Sequence, residues 1–155
     1  MDRQMIGFVE NEYILCPSAE QAVRLRSWVK KFVDKQPRSF DITRWNIDDI
    51  MSKINDGILI PWFYVENTEP IGMVLFSILE YKAGVQSIKI EFLSCENFFR
   101  ETKMYDFLES RAIDFGITFI EAVAHPAIAT YAVRRKGFKS DYKYIVKDLT
   151  KQRKH

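Results

Sequence analysis

Between residues 87 and 138 the spacing of apolar positions changes period repeatedly, and the changes predict a strand, a helix, a second strand and a second helix. Ile88, Ile90 and Phe92 alternate with Ser87, Lys89 and Glu91, which is the two-residue period of a strand over 87–94, with the three apolar residues expected on one face. From about 100 to 115 the period becomes helical. Met104, Leu108, Ala112 and Phe115 recur near 3.6 residues as one apolar stripe, and Gly116 ends it. The run 117–124 reads as strand again. Pro126 suits the first position of the next helix, where its missing N–H has no intrahelical partner, and Gly137 supplies a left-handed stop after about Lys136. Two strands joined by a helical crossover lie parallel, so this is the core of an α/β unit.

The chain ahead of this unit follows the same logic. Residues 12–16 form a short first strand. Ser18 with Gln21 three positions on is a capping box, in which each side chain satisfies a free backbone N–H. The helix it opens carries Ala22, Leu25, Val29 and Phe32 on its buried face, beside Trp28, and ends before Pro37. A second helix carries Ile47, Ile50, Met51 and Ile54 and closes at Gly57. Strands over 58–65 and 71–81 flank a turn at Asn67-Thr68-Glu69-Pro70, and Lys82-Ala83-Gly84 turns the chain into 87–94. Residues 142–149 read as a closing strand. Trp28, Trp45 and Trp62 are expected in or near the core.

Composition narrows the class without choosing a function. A chain of 155 residues with 47% hydrophobic and 28% charged residues reads as one soluble globular domain, 1–149, followed by a basic tail, 150–155. A net charge of +2 sets up no strong field, so nucleic acid is not an expected partner. No apolar run approaches the roughly 20 residues of a membrane span, and the charged start is not a signal peptide. Cys16 and Cys95 are too few for a disulfide scaffold and point to a reduced, cytoplasmic setting.

The unit from 87 to 138 resembles the GNAT (acyl-CoA N-acyltransferase) superfamily. Leu93-Ser94-Cys95 at the end of the first strand, Phe107-Leu108 with Ala112 and Gly116, and Ala127-Ile128-Ala129 through Arg135-Lys136-Gly137-Phe138 carry the resemblance. The remaining elements fall in that family's order, β, α, α, an antiparallel meander and then β-α-β-α-β. The resemblance implies an α/β (α+β) fold: a mixed, mostly antiparallel sheet with a central parallel strand pair and helices on both faces. It further implies that the parallel strands splay and take the pantetheine arm of acetyl-CoA between them, with Leu93, Ser94 and Cys95 presenting backbone groups.

Members of the family place Arg or Gln, two residues, Gly, one residue, then Gly or Ala where the helix after that strand begins. A helix N-terminus there offers N–H groups and partial positive charge to the pyrophosphate. Registered on Phe107-Leu108, this motif falls on Phe99-Arg100-Glu101-Thr102-Lys103-Met104. Thr102 and Met104 occupy the glycine positions and Phe99 that of the leading Arg or Gln, while Arg100 and Lys103 remain to attract an anion. The resemblance also implies a base that deprotonates the incoming ammonium, for which Glu91 on the strand and His125 beside the last helix are the candidates. Glu91 also reads as a strand carboxylate paired with Lys89, and His125 as a loop residue capping a helix. Glu121 is a further carboxylate, on a face with Phe119 and Val123. The Tyr that protonates the departing thiolate in many members is replaced by Val133, with Tyr131 about 200° round the helix.

Two functions follow from this departure. One is an N-acetyltransferase-like protein with an eroded acetyl-CoA loop and weak or lost activity, acting on an amine. The other is a non-catalytic scaffold (a pseudoenzyme) that binds other proteins, similar to the GNAT-like internal virion proteins of short-tailed bacteriophages. The cofactor reading stays open between acetyl-CoA and none, and the localisation between cytoplasm and virion.

Overall fold

In the computed structural model of the chain, which describes residues 3–35, 46–123, 126–140 and 147, contacts divide the chain into two compact units, 1–122 and 123–155. The first holds six strands and four helices: β1 (Arg3–Val9), β2 (Glu12–Pro17), α1 (Ala19–Arg24), α2 (Arg26–Asp34), α3 (Ile47–Asn55), β3 (Ile60–Glu66), β4 (Glu69–Lys82), β5 (Val85–Cys95), α4 (Phe98–Asp114) and β6 (Phe119–Ala122). The strands form one sheet in chain order, antiparallel throughout except for the parallel pair β5–β6 that α4 connects.

Both faces of the sheet are covered, because the central strands β3 and β4 are apolar on both sides. Phe63, Val65, Met73 and Leu75 pack with Ala22, Val29, Phe32, Ile50, Met51 and Ile54 of α1–α3. The alternate residues face α4, where Trp62 lies 5.4 Å from Phe107 and 4.9 Å from Phe76 between ring centroids. Phe8 of β1 completes that aromatic layer against Tyr64 and Phe107.

The capping box opens α1 as expected: Gln21 N–H donates to Ser18 Oγ, and Ser18 N–H to Gln21 Oε1. The single helix expected here is two, since Leu25 leaves the helical region (φ −97°, ψ 24°) between α1 and α2. α4 ends in a Schellman motif. Gly116 takes φ 72°, its N–H donates to the Ile113 carbonyl, and Ile117 N–H donates to the Ala112 carbonyl.

Two expectations about strands are corrected. β1 precedes the strand expected to be first; its apolar alternation is too short to read, and it exists by pairing with β2 across a tight turn at Glu10 and Asn11. Phe92 does not share a face with Ile88 and Ile90. The register runs Phe76↔Ile90 and then Leu75↔Phe92, so Glu91 is an extra residue in β5, a bulge that sends Phe92 into the α1–α3 core.

In the second unit α5 spans Pro126–Arg135, starting and stopping where proline and glycine predict. The closing strand expected over 142–149, His125 and Trp45 lie outside the described residues. Among the described residues, no helix is long and apolar enough to cross a membrane.

Candidate functional site

The bulge at Glu91 and the end of the parallel ladder coincide. β5 and β6 pair through Ser87↔Phe119, Ile88↔Ile120, Lys89↔Glu121 and Ile90↔Ala122, and no described pair follows. A bulge bends its strand and tightens its local twist. On its other edge β5 stays bound to β4, through Val74↔Leu93, Met73↔Ser94 and Gly72↔Cys95. Leu93, Ser94 and Cys95 therefore present one backbone edge with no strand partner among the described residues. An open pocket of about 450 Å³ borders its end, lined by Phe32, Lys35, Ser94, Cys95 and Glu96. The Cys95 side chain turns toward the other face, where Sγ lies 3.8 Å from Met104 Sδ, and burial pushes its thiol up to about 12.

α4 begins just past this edge. Asn97 is its N-cap, with Oδ1 accepting the Arg100 N–H at 2.9 Å. The N–H groups of Thr102, Lys103 and Met104 fall beyond the first turn, where helical N–H groups bond to the carbonyl four residues back. Thr102 Oγ1 donates to the Phe98 carbonyl at 3.0 Å, and Met104 is buried against the sheet. Lys103 Nζ stands 4.8 Å from the centroid of the Phe99 ring and 5.8 Å from that of Phe8. Phe99 itself is 67% exposed. Burial raises the pKa of Glu101, the acidic residue of this first turn.

Arg100 is held by two carboxylates. Its Nη2 donates to Glu12 Oε1 at 2.9 Å and lies 3.1 Å from Glu66 Oε2, while Tyr64 Oη donates to Glu12 Oε2 at 2.5 Å. The Tyr64 hydrogen bond first, and Arg100 after it, hold the Glu12 carboxyl below its usual range; burial and the same carboxylate push the Tyr64 phenol up. This network was not legible beforehand. Glu12 and Glu66 are directly opposite across β2 and β3, an arrangement of like charges that is unfavourable without a bridging cation. Only the register discloses it.

Glu91 is largely buried, with 19% of its side chain exposed, and Lys89 Nζ lies 3.4 Å from its Oε1. Lys89 pairs in register with Glu121, so the lysine stands between a carboxylate on its own strand and one on β6. Glu121 Oε2 accepts two hydrogen bonds, from Ser87 Oγ at 2.8 Å and from Tyr81 Oη at 2.5 Å. The second base candidate, His125, lies outside the described residues, and Tyr131 and Val133 belong to α5 in the second unit.

No family model and no curated protein matches the chain. Solved structures do. A predicted acetyltransferase with acetyl-CoA from Clostridium acetobutylicum is similar with a TM-score of 0.59 and 17% identity, over 90% of this chain and 97% of its own. A ribosomal-protein-alanine N-acetyltransferase from Brucella melitensis biovar Abortus 2308 gives 0.62 at 14% identity, over 88% and 99%. An aminoglycoside acetyltransferase from an uncultured soil metagenomic sample, in complex with sisomicin, gives 0.58 at 9% identity, over 84% and 90%. The chain has the fold of the GNAT acetyltransferases, with the mixed sheet, parallel pair and two-faced helical cover that the resemblance implies.

Proposed function

We propose that this chain is a GNAT-fold, N-acetyltransferase-like protein that takes an acyl thioester at the end of β5 and acts on an amine, with activity weakened by changes at the start of α4. The observation that carries the reading is the end of bulged β5 at Leu93, Ser94 and Cys95, which has no parallel strand partner among the described residues and borders the pocket at Ser94 and Cys95. An amide-bearing arm can add to such an edge as an extra strand does. Leu93, Ser94 and Cys95 would hold it through the backbone. Acetyl-CoA, when bound, supplies an acyl group activated as a thioester.

The chemistry left to the chain is proton transfer and placement. The amine nitrogen forms the new bond to the acyl carbon, the carbon–sulfur bond breaks, and the sulfur leaves with the electron pair. Glu91 takes the proton that the ammonium must lose; its place on the bulge, one residue past the last described β5–β6 pair, supports this role. Lys89 Nζ stands 3.4 Å from its Oε1. His125 shares this role in the proposal through its place in the sequence. An amine acceptor is supported by the similarity to an aminoglycoside acetyltransferase and to a ribosomal-protein-alanine N-acetyltransferase.

A second reading is a non-catalytic scaffold of the kind proposed for GNAT-like phage virion proteins, and the committed Arg100 at the start of α4 favours it. Titration of the full chain with acetyl-CoA, followed by backbone amide shifts, separates the two. The transfer reading expects saturable shifts concentrated on residues 91–95. No binding at about 10 mM ligand, weaker than any useful affinity, removes it and leaves the scaffold.

A further inference from the structure

The start of α4 is poorly suited to hold the diphosphate of a nucleotide-bearing thioester donor. Arg100, the cation nearest the helix start, already faces two carboxylates, and its side chain is only 22% exposed. The Asn97 side chain occupies the N–H of Arg100, and Thr102 Oγ1 is turned back onto the Phe98 carbonyl. Lys103 lies over aromatic rings, and the exposed Phe99 ring stands where the family motif has its leading Arg or Gln. Glu101 adds an acidic group in the same turn. Among the described residues, a diphosphate arriving here would meet carboxylates and an aromatic surface, with the Arg100 guanidinium already engaged and no glycine in the turn to let the backbone approach. None of these changes touches the β5 edge.

Resting on the acyl-transfer reading above, we infer that the chain selects a pantetheine-type thioester without a nucleotide diphosphate, and that Glu12 and Glu66 set this preference by holding Arg100. Recognition then comes from main-chain hydrogen bonding along Leu93, Ser94 and Cys95 and from the pocket beside them. Affinity carried this way depends little on salt, whereas phosphate recognition by cations weakens as salt screens it.

The test compares coenzyme A with pantetheine on the full chain, by calorimetry at low and high salt. The expected result is affinities within about threefold of each other and nearly constant with salt. Coenzyme A binding about tenfold or more tightly than pantetheine, with the advantage lost at high salt, overturns the inference and leaves acyl transfer standing. Failure of both ligands to bind overturns inference and transfer reading together. A second measurement uses Glu66→Gln, which loosens the hold on Arg100. Affinity for coenzyme A is expected to rise about three- to tenfold while that for pantetheine stays put. An unchanged ratio of the two affinities counts against Glu66 as a selector.

Discussion

Gly72 offers a quantitative test of the packing that joins the β5 edge to α4. It sits on β4 directly opposite Cys95. A methyl group there would lie 2.3 Å from Cys95 Sγ, and 3.2 Å from both Cys95 Cβ and the Ser94 carbonyl oxygen. The sulfur can escape only by rotating away from its contact with Met104 Sδ. The other two neighbours belong to the strand backbone or sit next to it, and move only if β5 moves. Overpacking of this kind costs about 1–3 kcal/mol, and replacing glycine by alanine within a strand returns about 0.5–1 kcal/mol of that. Gly72→Ala should therefore destabilise the protein by about 1–2 kcal/mol. At about 2–4 °C per kcal/mol for a chain of this size, Tm should fall by about 2–8 °C in thermal unfolding followed by circular dichroism. A double-mutant cycle isolates the cause: in a Cys95→Ala background the same substitution should cost about 1 kcal/mol less, because the closest contact is gone. A Gly72→Ala protein as stable as the parent refutes the reasoning, as does a cost indifferent to Cys95.

Three further outcomes test other parts of the structure. Arg100→Gln leaves Glu12 and Glu66 facing each other and should lower the urea midpoint at neutral pH. The folded Glu12 carboxyl is held below its unfolded value near 4.5, so its stabilisation is complete above that value and drains as pH falls through the lower folded one; the gap between variant and parent should narrow toward about pH 3, and a gap independent of pH contradicts the network. Burial pushes the Cys16 and Cys95 thiols to about 12, so alkylation by iodoacetamide near pH 8 should be at least about 100-fold slower folded than in urea, and rapid labelling would show an open site. Thr68 sits at φ 69° in the β3–β4 turn after Asn67 at φ 49°, where a β-branched residue is strained, so Thr68→Gly should raise stability by about 1 kcal/mol, read from the same midpoints; a loss would mean that the side chain earns its place through a contact.

What the sequence determines here is everything that depends on near neighbours. The period of Met104, Leu108 and Ala112, the Ser18–Gln21 capping box, and the stops at Gly116 and Gly137 act over a few residues, so their helices are legible without the fold. The pairing of β5 with β6 followed too, since a helical crossover leaves two strands parallel. Register is another matter. A single extra residue at Glu91 reverses the face of every side chain after it, just past the last described β5–β6 pair, yet nothing in Lys89-Ile90-Glu91-Phe92 departs from simple alternation. The carboxylates that hold Arg100 are equally silent, because Glu12 and Glu66 meet only after two strands pair and α4 crosses the sheet to reach them. Local periodicity fixed the elements, whereas long-range strand pairing decided which edge stays open and which charge is already spoken for.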